Sequence, residues 1–182
     1  ALSKIKKLAQ QGKLRTAMEE AYFAMDTAPT YLPLHNLVGD LLVEQSLTTE
    51  ATEKYAVVAR AYNIRGDASH AISLYRKITD LSPMDMKLRN QLIEMLVTNH
   101  RLDDAVNEYI RLSDMYYTLA DLVMTRKSLE EAARLGQQGV DRQLRLKVLH
   151  KMADIEAQSL DWRQAIRVNE QIRQLDPDDS DV

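Results

Sequence analysis

The sequence predicts an all-α fold, a stack of about ten antiparallel helices, and three observations predict it. Glycine (5) and proline (4) are scarce among 182 residues, while Leu, Ala, Gln, Arg and Glu are plentiful, a balance that favours helix over sheet. Apolar residues recur at helical spacing along almost the whole chain, and no strand-like alternation competes with them. Helix-breaking clusters fall at regular places between the periodic runs.

Taken in order, the first helix, 2–11, carries Leu2, Ile5 and Leu8 on one stripe and ends at "QQGK". The second, 14–27, runs through Ala17, Ala21 and Ala24 to the break "APTYLP". Leu34, Leu37, Val38, Leu41 and Leu42 form the stripe of helix 32–45, which stops before "QSLTT". Helix 48–65 is closed by Gly66 in "RGDA", and helix 68–81 by Pro83 in "LSPMD". Leu88, Leu92, Met95 and Leu96 define helix 85–99, which gives way at "TNHRLDD". Helices 102–118, 121–136 and 141–159 follow, the latter two separated by "LGQQGVD". The last helix, 162–175, lies between "SLDW" and "LDPDD", and the acidic tail 176–182 is expected to fray. The connections are too short for a flexible linker, so a single domain over 1–182 is expected.

Several of these helices share a local pattern. A small or turn residue is followed five positions later by Ala, and four further on by an aromatic: Ser46/Ala51/Tyr55, Gly66/Ala71/Tyr75 and His100/Ala105/Tyr109. Gly12/Ala17 and Leu160/Ala165 are weaker forms. Alanine lets a neighbouring backbone approach, and the ring one turn on fills the wider gap beside it. Ala17 to Ala51 is 34 residues, and Ala71 to Ala105 is 34 again. With "HNLVGDLL" as a first helix bearing Gly39 at the small position, and "GDASHAISLYRKITDLSP" as a turn and second helix closing on Pro83, the chain resembles the tetratricopeptide repeat. "AMDTAP" and "IRQLDP" close in the same way. The resemblance covers most of the chain and implies a right-handed α-solenoid that binds proteins.

One departure is informative. Ala51 to Ala71 is a step of 20, so helix 48–65 serves as the second helix of one unit, through Ala51 and Tyr55, and the first of the next, through Ala59 and Tyr62. Residues 86–139 echo 32–85, with Leu34/Leu88, Asn36/Asn90, Val43/Val97, Tyr62/Tyr116 and Asp67/Asp121 among the matches. A 54-residue, three-helix superrepeat is the expectation; a 34-residue array with drifted register is the alternative.

Composition excludes several functions. Net charge is −3 and the isoelectric point about 5.8, without the basic excess a nucleic-acid footprint needs. Cysteine is absent, which removes disulfide and thiol chemistry and fits a reducing, cytoplasmic setting. No apolar run is long enough for a membrane span, so no membrane insertion is expected. No signal peptide is visible, and the chain opens at Ala1 without Met, as a processed chain or a fragment would. His35, His70, His100 and His150 form no HExxH motif, and His150 with Asp154 reads as a surface pair, not a metal site. The glycines stand singly at turns, and Gly136 and Gly139 lack the Lys and Ser/Thr of a phosphate loop. Serines show no nucleophile elbow. No catalytic residue, metal or cofactor is expected, and the chain is not read as an enzyme. Tyr55, Tyr62, Tyr75, Tyr109 and Tyr116 fall at packing positions rather than in a stacking platform for bases.

Arg65-Gly66-Asp67 is the tripeptide that adhesion receptors read in some extracellular proteins. Here each residue has structural work: Gly66 turns the chain, Asp67 can cap the following helix, and Arg65 ends the preceding one, where a cation suits the dipole.

A protein-interaction scaffold is therefore expected, with a protein or peptide partner on a curved helical surface. In the resembled family the first helices line that surface. The matching positions here are Asn36, Asp40, Val43 and Glu44 on helix 32–45, and Lys87, Asn90, Glu94, Val97 and Thr98 on helix 85–99. Asp40 and Glu94 would repel a C-terminal carboxylate, which argues against a chaperone-tail clamp. The alternative is an oligomerisation or regulatory module of a larger bacterial regulator or secretion-associated protein. Because the first helix is short and its stripe needs a partner beyond the helix that follows, the N-terminal end is expected to be incomplete, continuing into more chain or self-associating. The last helix is expected to cap itself through Arg163, Gln164, Arg167, Gln171 and Gln174.

Overall fold

The computed structural model describes residues 1–178, which form ten α-helices and, among those residues, no strand. They are α1 (Leu2–Gln10), α2 (Leu14–Thr27), α3 (Leu32–Glu44), α4 (Thr48–Ile64), α5 (Ala68–Leu81), α6 (Met86–Thr98), α7 (Leu102–Thr118), α8 (Leu122–Gly136), α9 (Arg142–Gln158) and α10 (Trp162–Leu175). Every end lies within one residue of the predicted boundary.

Two kinds of turn explain why the boundaries are so sharp. In the first, three residues join the helices and the middle one is left-handed: Gly12 (φ 74°), Ser46 (62°), Gly66 (78°), His100 (57°), Ala120 (58°) and Leu160 (61°). The N–H after it reaches back to the carbonyl five residues earlier, as from Asp67 to Tyr62 (2.9 Å), Arg101 to Leu96 (2.9 Å) and Asp121 to Tyr116 (2.9 Å). That closes the orphan carbonyls of the outgoing helix in a Schellman turn. In the second kind, Ala28 (φ −139°, ψ 67°) and Ser82 (φ −130°, ψ 68°) leave α2 and α5 extended, and a proline follows each. Asp67, Asp121, Asp141 and Asp161 cap α5, α8, α9 and α10 by accepting the N–H three residues on.

The three-helix period is exact in the element starts. Leu32 to Met86, Thr48 to Leu102, and Ala68 to Leu122 are each 54 residues, and α2 begins 54 residues before α5. The double role of helix 48–65 holds: α4 is unbroken and packs on both α3 and α5, with Ala51 and Ala59 fully buried.

The helices fall into two compact units, Ala1–Leu88 and a second beginning at Arg89, so the border runs through the first turn of α6. In the first, consecutive helices from α1 to α5 pack as neighbours, and α1 also reaches α3. Its core gathers Ile5, Ala17, Ala21, Leu34, Leu37, Val38 and Leu41, with Leu2 and Leu8 against it. The partner that the α1 stripe requires beyond α2 is thus α3. In the second unit α7 packs on α8, α8 on α9 and α9 on α10, and α7 also meets α9. Leu146, Leu149, Val168 and Ile172 form the α9–α10 core.

Ion pairs tie this unit at three points. Arg89 of α6 pairs with Glu108 of α7, both nearly excluded from solvent (7% and 6% side-chain exposure). Arg111 holds the other oxygen of that carboxylate at 3.0 Å. Arg126 clasps Glu156 with two 2.9 Å hydrogen bonds, and Lys151 reaches Asp114 at 2.5 Å. Arg163, Arg167, Gln171 and Gln174 are exposed on α10 as expected, Gln164 is half-buried, and Trp162 and Ile166 are also exposed. Of the tail expected to fray, Asp176 pairs with Arg142 (3.0 Å), and residues 179–182 lie outside the described residues.

The Arg-Gly-Asp corner has the structural roles that the sequence suggests. Arg65 Nη2 donates to the Thr30 carbonyl (3.0 Å), pinning the α2–α3 connection. Gly66 is left-handed, and Asp67 accepts from the His70 N–H (3.2 Å) and contacts His70 Nδ1 at 2.8 Å. The His70 ring stacks on Tyr62, 4.9 Å between centroids.

Candidate functional site

The predicted face of α3 is drawn into a groove by one glycine. A Cβ on Gly39 would collide with the Tyr55 ring, so only glycine lets that α4 side chain pack this closely on α3. The ring delivers its hydroxyl to Asp40, donating to Oδ1 at 2.6 Å. Lys77 of α5 donates to the same oxygen at 2.7 Å, and its Nζ sits 5.2 Å from the centre of the ring. Burial first, then the hydrogen bond and charge of Asp40, push the Tyr55 phenol well above its ordinary pKa, so it stays a donor.

Beside this triad opens a space of about 350 Å³. It is lined by Val43, Leu81 and the Tyr55 ring together with the charged side chains Asp40, Glu44, Lys77 and Asp80. Asp40 is engaged by Lys77; Glu44 and Asp80 have no ion pair among the described residues. Three carboxylates against one ammonium leave an acidic groove.

Of the residues singled out from the sequence, the structure brings Asp40, Val43 and Glu44 together here. Asn36 is half-buried further back on α3, and its Oδ1 is shielded without a hydrogen-bond partner. On α6, Lys87, Asn90, Glu94 and Thr98 are exposed and Val97 half-buried. Thr98 donates to the Glu94 carbonyl oxygen (2.8 Å). Sequence reasoning missed the α5 contribution, Lys77, Asp80 and Leu81, and assigned Tyr55 to packing alone. Their i, i+3, i+4 spacing beside the buried stripe of α5 was the available signal.

In the second unit, the positions 54 residues on carry Glu94, Val97, Thr98, Tyr109, Glu131, Arg134 and Leu135. Burial raises the Tyr109 pKa, Glu131 and Glu94 add to the rise, and Arg134 opposes it. Arg134 is taken up by Glu131 at 2.6 Å, and the Glu94 carboxylate has no ion pair among the described residues. Among the described residues no three His, Asp or Glu side chains converge as metal ligands, and no helix is long and apolar enough to cross a membrane.

Comparison with known proteins supplies the class. The chain is similar to a putative kinesin light chain of Podosopora anserina with nearly identical tetratricopeptide-like repeats, at 14% identity and a TM-score of 0.51, covering 95% of this chain and 92% of that one. It is similar also to an RS-1 MamA double mutant, at 12% identity and a TM-score of 0.51, covering 99% and 94%. No protein-family model matches the sequence, and no curated protein does. The fold is that of a tetratricopeptide-like array of helical hairpins, all-α, with α4 shared between two hairpins.

Proposed function

We propose that the chain is a protein-interaction scaffold that takes a peptide or partner segment on the face of α3 and α5. The observation that supports this is the groove itself: aliphatic side chains and an aromatic ring beside convergent charged groups are the make-up of a recognition site. Asn36 on α3 and Lys87, Asn90, Glu94, Val97 and Thr98 on α6 are proposed as further contact positions. No step of chemistry is assigned to the groove, and the absence of cysteine supports a reducing compartment such as the cytoplasm. The test places a photo-crosslinking amino acid at Val43 and, as a control, at Val57, which is exposed outside the groove. Adducts to a discrete partner are expected at the first position and not the second. Equal labelling at both, or none at either, would overturn the reading.

A second reading, self-assembly, is favoured by one feature of the second unit. Tyr117 donates to Gln158 (2.6 Å), so the ends of α7 and α9 lie together. Leu119 and Leu160 in the turns that follow, and Val123 and Trp162 at the starts of α8 and α10, are exposed. Light scattering across a concentration series separates the readings, since the scaffold reading expects a constant mass.

A further inference from the structure

The charge pattern of the first-unit groove defines what it can hold. We infer that its partner is a basic protein segment, one presenting an arginine or lysine next to an apolar residue. This rests on the scaffold reading above and specifies the partner it requires.

The groove already contains a cation in a working geometry. The Lys77 ammonium is seated between the Asp40 carboxylate and the Tyr55 ring, which pairs a full negative charge with the negative face of an aromatic. Lys77 uses Asp40, however, and among the described residues neither Glu44 nor Asp80 has an ion pair. Both carboxylates line the same 350 Å³ space. An entering guanidinium or ammonium relieves the repulsion between them, whereas an entering carboxylate adds a third like charge beside them. Val43 and Leu81 give the aliphatic stem of an arginine, or a neighbouring leucine, an apolar wall to lie on. An extended peptide satisfies both demands at once, because it can set an apolar and a basic side chain side by side. The polarity is opposite to that of a clamp for a C-terminal carboxylate.

The second unit provides an internal contrast. Where the first unit has Lys77 and Asp80, it has Glu131 and Arg134, and these neutralise each other at 2.6 Å. Of these three charged positions, Glu94 alone has no ion pair among the described residues, so the basic segment is assigned to the first unit.

The test is a titration of the full chain, followed by amide NMR, with a capped peptide of alternating arginine, leucine and serine. A control peptide carries glutamate in place of arginine. The basic peptide is expected to shift the amides of Val43, Glu44, Asp80 and Leu81 saturably, and added salt to weaken it. Neutralising the rim with Glu44→Gln and Asp80→Asn should weaken binding about tenfold. Both side chains are exposed and without an ion pair among the described residues, so the fold is expected to be retained, and circular dichroism checks it. Equal binding of the glutamate peptide, shifts that map off the groove, or an unchanged affinity in the neutralised chain would overturn the inference. If crosslinking at Val43 captures a partner whose contacting segment is acidic, this inference fails while the scaffold reading stands. If neither peptide binds and Val43 captures nothing, both fail.

Discussion

The six left-handed turns make a controlled experiment that the chain has half performed already. Gly12 and Gly66 hold the position at no steric cost, whereas Ser46, His100, Ala120 and Leu160 hold it with a side chain at φ between 57° and 62°. An L-residue there is strained by about 1–2 kcal/mol. Ala120 is exposed, so Ala120→Gly forfeits no burial. Glycine's extra freedom in the unfolded chain returns about 0.5–1 kcal/mol of that gain. A net stabilisation of about 0.5–1 kcal/mol is expected, and a rise in melting temperature of about 1–4 °C for a chain of this size. The converse, Gly66→Ala, meets no atom within 4 Å of the new Cβ, so its cost is purely conformational and should be of similar size and opposite sign. A glycine placed at exposed Lys127, inside α8, controls for glycine itself and should destabilise by about 1 kcal/mol. Urea denaturation followed by far-UV circular dichroism reads all three. If Ala120→Gly lowers the midpoint as Lys127→Gly does, backbone strain is not what these turns carry.

Other perturbations test the packing. Glu108→Ala removes the buried carboxylate that Arg89 and Arg111 share and should cost about 3–5 kcal/mol in denaturant melts; a near-zero cost for the almost isosteric Glu108→Gln would point to lost packing instead of the lost ion pair. Gly39→Ala should cost about 1–3 kcal/mol in denaturant melts, with a smaller penalty in a Tyr55→Leu background, since the new methyl meets that ring. At high pH the order of events is set by Tyr55, Tyr75 and Tyr109, whose pKa values burial raises above the unfolded value near 10. A raised folded pKa contributes stability that is complete below the unfolded value and is lost as pH climbs through the folded one. The phenolate absorbance of Tyr55 and Tyr75 should therefore appear together with loss of helix; full ionisation of these two with the helices intact would contradict their burial.

Nearly all of the secondary structure was legible because this chain punctuates itself. Ser46, Gly66 and His100, marked in the sequence only as small or turn residues, are left-handed corners, and each proline after α2 and α5 follows an extended residue. The same column contains Ala120, which the sequence pattern passed over. There the residue five on is Thr125 instead of alanine; it is buried nonetheless, its hydroxyl donating to the Asp121 carbonyl oxygen at 2.8 Å. Periodicity could not reveal the Arg89–Glu108 pair. Arg89 lies three residues before Leu92 on the buried side of α6, where the apolar stripe suggested Leu88, and its partner is 19 positions away on the next helix. Tyr109 and Tyr116, read as packing residues, are half-buried, in keeping with rings at the edge of the hairpins.

The groove shows where such reading stops. Its α3 side follows from helix periodicity and the 54-residue echo, so Asp40, Val43 and Glu44 could be picked out. Its α5 side depends on Lys77 crossing 37 residues to reach Asp40, a tertiary contact that no local spacing encodes. The same echo helps again once that contact is known. Between the two superrepeats the packing positions are conservative: Tyr55 matches Tyr109, Val43 matches Val97, and Leu81 matches Leu135. The charged rim is not, for Lys77 becomes Glu131 and Asp80 becomes Arg134. Packing positions must satisfy one backbone geometry and tolerate little change in volume. Rim charges are solvated, cost little to exchange, and decide which partner is repelled. One hairpin geometry can therefore present two different charge patterns, and, on the scaffold reading proposed above, the positions where these two superrepeats disagree are the ones that would set which partner each accepts.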